Sequence, residues 1–94
     1  MKKLVFNIDA SLFTSRKAAH ETMKVVFKKY EYYGNNLDAL HDVLTSIRRD
    51  AVITVTGLEK SREYIDTYVD SLMRVFNDCA EENEHLTFVF NEEE

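Results

Sequence analysis

The sequence predicts an α/β fold, a three-stranded parallel sheet packed by three to four helices. Three observations lead there. Short runs rich in β-branched and aromatic residues occur at 3–8 (Lys-Leu-Val-Phe-Asn-Ile), 51–56 (Ala-Val-Ile-Thr-Val-Thr) and 85–90 (His-Leu-Thr-Phe-Val-Phe). The stretches between them carry apolar residues at helical spacing. Those stretches are too long for hairpins, and strands joined through helices pair in parallel by right-handed crossovers. The 94 residues, 45% of them hydrophobic, suffice for a single domain over 1–94 with one core.

The elements follow the order β-α-α-β-α-β. After the first strand, Ser15 is placed to cap a helix over 15–29, with His20, Met23, Val26 and Phe27 leaning inward. A loop at 30–35 holds Tyr30, Tyr32, Tyr33 and Gly34, and Asn36 then caps a helix over 37–49. At roughly 100° per residue, Leu37, Leu40, Val43, Leu44 and Ile47 fall on one side of that helix, and Asp38, Asp42 and Thr45 on the other. Gly57 ends the second strand. Residues 59–82 read as helical, broken near Asp66–Thr67, with Ile65, Val69, Leu72, Phe76 and Cys79 as the core stripe. Residues 91–94 form a frayed acidic tail, and the absence of proline removes one common source of slow folding.

Composition narrows the function classes. The formal charge is −5, from 12 basic and 17 acidic residues, which suits a cationic protein partner and not a nucleic acid. A single cysteine cannot form an internal disulfide, and Cys79 on an apolar helix face reads as a small core residue. With no signal-peptide pattern, the expected compartment is the reducing cytoplasm. No apolar run approaches the roughly 20 residues that cross a bilayer, so no membrane role is expected. Phosphate loops, Cys-x-x-Cys pairs and nucleophile motifs are missing, so the chain is expected to be neither an enzyme nor a cofactor binder.

Two chemical alternatives remain at this stage. Asp38-x-x-His41-Asp42 could grip a metal or share a proton, although His20 and His85 are distant in sequence and no second cluster completes a site. The tyrosines could stack on bases, but only Lys28 and Lys29 accompany them, and core packing explains Tyr30 and Tyr33 equally well.

The acidic stripe itself asks for a partner. Like charges at i,i+4 weaken an isolated helix. Asp38 is helped by its place in the first turn, where the helix dipole favours an anion. Asp42 is not, and its i±3 and i±4 neighbours Ala39, Thr45, Asp38 and Ser46 include no cation. On the long helix, Ser71, Val75, Asp78 and Glu82 share a neighbouring edge that fits either an interface rim or a solvated acidic face.

The run Tyr32-Tyr33-Gly34-Asn35-Asn36-Leu37-Asp38-Ala39-Leu40-His41-Asp42-Val43-Leu44-Thr45 meets every fixed position of the pattern Tyr-Tyr-Gly-x-Asn-Leu-Asp-Ala-Leu-x-Asp-x-Leu-Thr. It resembles the signature of the barstar family, intracellular inhibitors of small secreted bacterial ribonucleases. Met1-Lys2-Lys3 before the first strand, His20-Glu21-Thr22, and Val75-Phe76-Asn77-Asp78 on the late helix extend the resemblance along the chain.

The resemblance implies a barstar-like fold and an inhibitor that is a monomer when free. The helix from Asn36 and the loop before it would plug the active site of a toxic ribonuclease. Asp42 would occupy the place of a substrate phosphate and Asp38 would pair with basic residues beside it. Tyr32 would pack on the enzyme, Gly34 and Asn36 would let the backbones approach, and Leu37, His41 and Thr45 would complete that side of the contact. Val75, Asp78 and Glu82 would contribute from the long helix. Departures from the family pattern are His41, where tryptophan is frequent, Ile47 in place of a second aromatic, and Asp78, where glutamate is usual. Val43 and Glu84 stand where one member has paired cysteines. These differences suggest a partner surface unlike that of the best-known ribonuclease. Two alternatives stay open: an immunity protein of this fold against another nuclease toxin, and a regulatory binding domain without a toxin partner.

Overall fold

The computed structural model describes residues 3–30 and 34–92. Strands β1 (Leu4–Asp9), β2 (Ala51–Thr56) and β3 (Leu86–Asn91) form one parallel sheet in the order β1-β2-β3. The register aligns Leu4 with Ala51 and Leu86, Phe6 with Ile53 and Phe88, and Ile8 with Val55 and Phe90. These three rows form the face toward the helices: Ile8, Ala51, Ile53, Val55 and Leu86 are buried. The intervening residues Val5, Asn7, Thr87 and Val89 are exposed on the opposite face. Two successive crossovers of the same hand, both stepping the same way along a sheet, leave their helices on one side, which is the arrangement seen here.

Both crossovers carry two α-helices: α1 (Arg16–Val26) and α2 (Leu37–Thr45) before β2, and α3 (Arg62–Ile65) and α4 (Tyr68–Glu82) before β3. A 3-10 turn precedes each pair, at Ala10–Leu12 and Glu59–Ser61. Ser15 caps α1 as expected, its Oγ accepting from the Ala18 N–H at 2.9 Å. The helix closes at Phe27, short of the anticipated 29, where that ring packs on Phe6 at 4.9 Å between centroids. His20, Met23 and Phe27 are buried, and Val26 is half-buried. Both outer strands run one residue later than the sequence suggested, because the ladder with β2 sets their ends. Asn91, expected in the tail, thus belongs to β3, and the Glu92 carboxylate accepts from the Glu59 N–H at 2.9 Å.

Helix α2 stops at Thr45, four residues before the anticipated end at 49. The Thr45 and Ser46 hydroxyls turn back onto the carbonyls of His41 and Val43, at 2.9 and 2.7 Å. Ile47 stays buried although it has left the helix, so the apolar period outlasts the helical backbone. The carbonyls left open beyond this end are taken up from another element. Buried Asn83, the cap of α4, donates through Nδ2 to Leu44 O at 3.1 Å and Ile47 O at 2.9 Å, while its Oδ1 accepts from the His85 N–H at 3.0 Å.

The break near Asp66 is sharp. Asp66 has φ 48° and ψ −124°, a region that glycine enters far more easily. The Arg62 guanidinium braces this elbow, bonding Glu59 at 2.7 Å and Asp70 at 2.8 Å. Ile65, Val69, Leu72, Phe76 and Cys79 form the buried stripe along α3 and α4. Burial, aided by Glu82 and Asp78, pushes the Cys79 thiol up to about 12, so it packs as a neutral core group. Among the described residues no helix is long and apolar enough to cross a membrane.

His20 is wholly buried, and its Nε2 lies 2.7 Å from the Tyr68 hydroxyl, tying α1 to the start of α4. Burial, with a smaller push from Lys24, lowers its pKa.

The buried side chains of Asn83 and His20 have measurable consequences for stability. Asn83→Ala should cost about 2–3 kcal/mol by stranding two buried carbonyls and one amide, measured as a shift in urea midpoint with unchanged slope. The second consequence concerns pH. In the unfolded chain His20 takes up its proton near pH ~6.5, and in the folded protein only at lower pH. Its contribution is therefore fully present above that range and is lost as pH falls through about 6.5 toward the folded value. Urea midpoints should drop over that interval in the parent, and the drop should be smaller in His20→Phe.

Candidate protein-binding face

The face is assembled on α2. Gly34 supplies the turn into it with φ 77°, and a Cβ at that position would meet Asn36 Nδ2 at 3.0 Å. Asn36 then caps the helix: its Oδ1 accepts from the Ala39 N–H at 2.8 Å. Leu40, Val43 and Leu44 bury one side, with Leu37 half-buried at its start. The opposite side therefore has a fixed direction, and Asp38 and Asp42 project from it into solvent. Among the described residues neither carboxylate makes a hydrogen bond or ion pair, and the same holds for the exposed Asp78 carboxylate on α4. Thr45 is half-buried and spends its hydroxyl proton on the His41 carbonyl.

Helix α4 packs beside α2, and one pair of side chains joins their acidic surfaces. His41 Nε2 lies 3.2 Å from Glu82 Oε2, with the two side chains 37% and 54% exposed. Beneath them, the Cys79 thiol points to the His41 carbonyl at 3.9 Å. The structure thus brings Asp38, His41, Asp42 and Glu82 onto adjoining surfaces. Asp78 lies one turn before Glu82 on α4, and Val75 is half-buried on the same edge. Tyr32 and Tyr33 fall outside the described residues. The His41 ring is engaged by Glu82, across from its own helix. Among the described residues no group of three His, Cys, Asp or Glu side chains could hold a metal ion.

Sequence reasoning missed the flank of this face. A cleft of about 420 Å³ opens beside the N-terminus of α2, lined by Arg16, Asn35, Asn36, Leu37, Asp38 and Tyr68. The Arg16 guanidinium stacks over the Tyr68 ring, 4.6 Å from its centroid. That ring leans on buried His20, so α1 and α4 together buttress the start of the acidic helix. Arg16 and His20 lie one turn apart on α1, but no local pattern links them to Tyr68, since that meeting is tertiary.

The architecture defines a two-layer α/β protein that presents anions from a rigid, capped helix. Comparison with known proteins makes the assignment specific. The family model described as "Barstar (barnase inhibitor)" matches residues 3–92, and the chain belongs to the barstar family. It is also 30% identical over 83 residues to the "Putative ribonuclease inhibitor YrdF" of Bacillus subtilis (strain 168), covering 87% of this chain and 89% of that protein.

The division between caps and exposed anions can be tested on the free protein. Asn36→Ala should lower stability by about 1 kcal/mol, the usual loss of an N-cap. Asp42→Ala should leave the melting temperature unchanged or slightly raised, since it relieves repulsion with Asp38. Both are read from thermal melts followed by circular dichroism.

Proposed function

We propose that this protein inhibits a toxic ribonuclease by covering its active site with α2 and the loop before it. One observation carries the reading: Asp38 and Asp42 sit on a helix fixed at both ends, unpaired by any described residue, in a chain of the barstar family. A nuclease must gather positive charge around the scissile phosphate, so a rigid pair of carboxylates can imitate its substrate. Asp42 occupies the phosphate's place and Asp38 pairs with neighbouring basic residues. Tyr32, Gly34, Asn36 and Leu37 form the approach to the site, and His41 and Thr45 continue the contact along the helix. Val75, Asp78 and Glu82 extend it onto α4. The protein acts as a monomeric binding module without chemistry or cofactor of its own. It stays in the bacterial cytoplasm and serves as the immunity half of a toxin–antitoxin pair. Its partner is a basic protein, and neither nucleic acid nor membrane takes part.

His41 and the short Asp78, both departures from the frequent family residues, support a second reading on the same face. In it the protein is an immunity protein against a nuclease of another class. Purified protein titrated into barnase and into the small basic nuclease encoded nearest its own gene, with RNA and DNA cleavage as the readouts, tests both. Stoichiometric inhibition supports the first reading. Inhibition of a neighbouring deoxyribonuclease alone supports the second, and loss of neither activity overturns both.

Two further outcomes are expected with the inhibited nuclease. The association rate should fall steeply as salt is raised, because opposed fields speed the encounter; a flat salt series would mean an apolar contact. Asp42→Ala should weaken inhibition more than any other single truncation on the face, by roughly 2–5 kcal/mol or more, because it leaves the partner's cations buried and unpaired. Charge pairs of the barnase–barstar complex are themselves the standard case for losses of this size, so the magnitude is carried over from the family. Asp78→Ala or Glu82→Ala exceeding Asp42→Ala would move the centre of recognition to α4.

A further inference from the structure

The His41–Glu82 bond has a chemical consequence for the face it spans. A carboxylate only accepts hydrogen bonds, so Nε2 must be the donor at 3.2 Å. In the neutral ring this places the proton on Nε2 and leaves Nδ1 with a lone pair. Among the described residues Nδ1 has no partner, and the side chain is 37% exposed. The bond also occupies Glu82 Oε2, and among the described residues Oε1 has no partner. Asp38 and Asp42, three residues before and one after His41, present acceptors alone.

We infer that His41 is a specificity-determining residue of this face, locked by Glu82 into the tautomer that offers Nδ1 as a hydrogen-bond acceptor to a donor on the partner. The inference rests on the proposed inhibitory role of α2. An imidazole in the other tautomer would present a donor among acceptors and would repel an arginine or lysine approaching Asp38 and Asp42. With the ring neutral, this tautomer extends the acceptor row of the helix. Glu82 acts here as a positioning residue, because it sets the ring's tautomer and angle through one bond. A partner matched to this surface needs a polar donor opposite position 41, where an aromatic side chain would instead ask for an apolar or cationic platform.

Two measurements test this. Nitrogen-15 spectra of the imidazole in the free protein should show the Nε2–H tautomer in the parent and a mixture in Glu82→Gln, whose amide can donate or accept. A dominant Nδ1–H form in the parent would overturn the inference. Inhibition constants against barnase or the neighbouring ribonuclease, whichever the parent inhibits, should then weaken roughly tenfold in His41→Phe, the scale of one interfacial hydrogen bond. His41→Gln should recover most of that loss, since its amide can donate to Glu82 and accept from the partner. Thermal melts of each variant separate lost contact from lost folding. Equal inhibition by His41→Phe and the parent would overturn the interfacial role. A parent that inhibits neither barnase nor the neighbouring ribonuclease would sink the ribonuclease reading and the interfacial role with it. The tautomer is read without any partner, so the two failures are distinguishable.

Discussion

The acidic helix depends on a single buried amide. Helix α2 ends after nine residues, leaving carbonyls at and just beyond its end to be satisfied by side chains. Asn83, 39 and 36 residues further along, supplies donors to two of them and simultaneously accepts from the backbone that leads into β3. One side chain therefore fixes the C-terminal end of α2, the end of α4 and the start of the last strand. An apolar residue of similar size could fill the space but not satisfy the carbonyls, and a carboxylate would bring an unpaired anion to them. The other end of α2 is held by its own cap at Asn36. Between these anchors the helix has little freedom to roll, and the exposure of Asp38 and Asp42 follows from the burial of Leu40, Val43 and Leu44 on the other side.

Rigidity is what makes unpaired carboxylates useful. An isolated exposed anion costs little to keep in water, and it contributes little to folding. Held on a capped helix, two such anions present a spacing that a cationic surface can match without reordering side chains or backbone first. The His41–Glu82 pair continues the same logic across the helix boundary, fixing one carboxylate oxygen, while the other has no partner among the described residues. The sheet contributes at a distance. Its helix-facing rows, meeting Phe27 and Phe76 through Phe6 and Phe88, set the platform on which both helices lie.

Much of this was legible in the sequence because it is written in periodicity and in local chemistry. The three strands, the Ser15 and Asn36 caps, the break at Asp66 and the buried stripe of α4 each depend on residues within a few positions of one another. The signature run from Tyr32 to Thr45 carried the family. What could not be read was long-range. The apolar spacing through Ile47 suggested a longer helix, since burial continues after the backbone has turned. Asn83 looked like any polar residue near a helix end, and its two carbonyl acceptors lie on a different element. The Arg16–Tyr68–His20 stack and the His41–Glu82 bond likewise join residues whose sequence neighbourhoods carry no mark of each other.

The position of Asn83 also orders events during synthesis. A growing chain exposes the segment of α2 well before residue 83 leaves the ribosome, and before β3 can add to the sheet. During that interval the carbonyls of Leu44 and Ile47 lack the donors they have in the folded state, and a helix of nine residues alone in water is marginal. The Tyr32–Thr45 signature therefore encodes the surface but does not complete it. An α2 anchored at both ends is a property of a chain synthesised through its last strand, and a fragment carrying the full signature but ending before Asn83 would emerge without it.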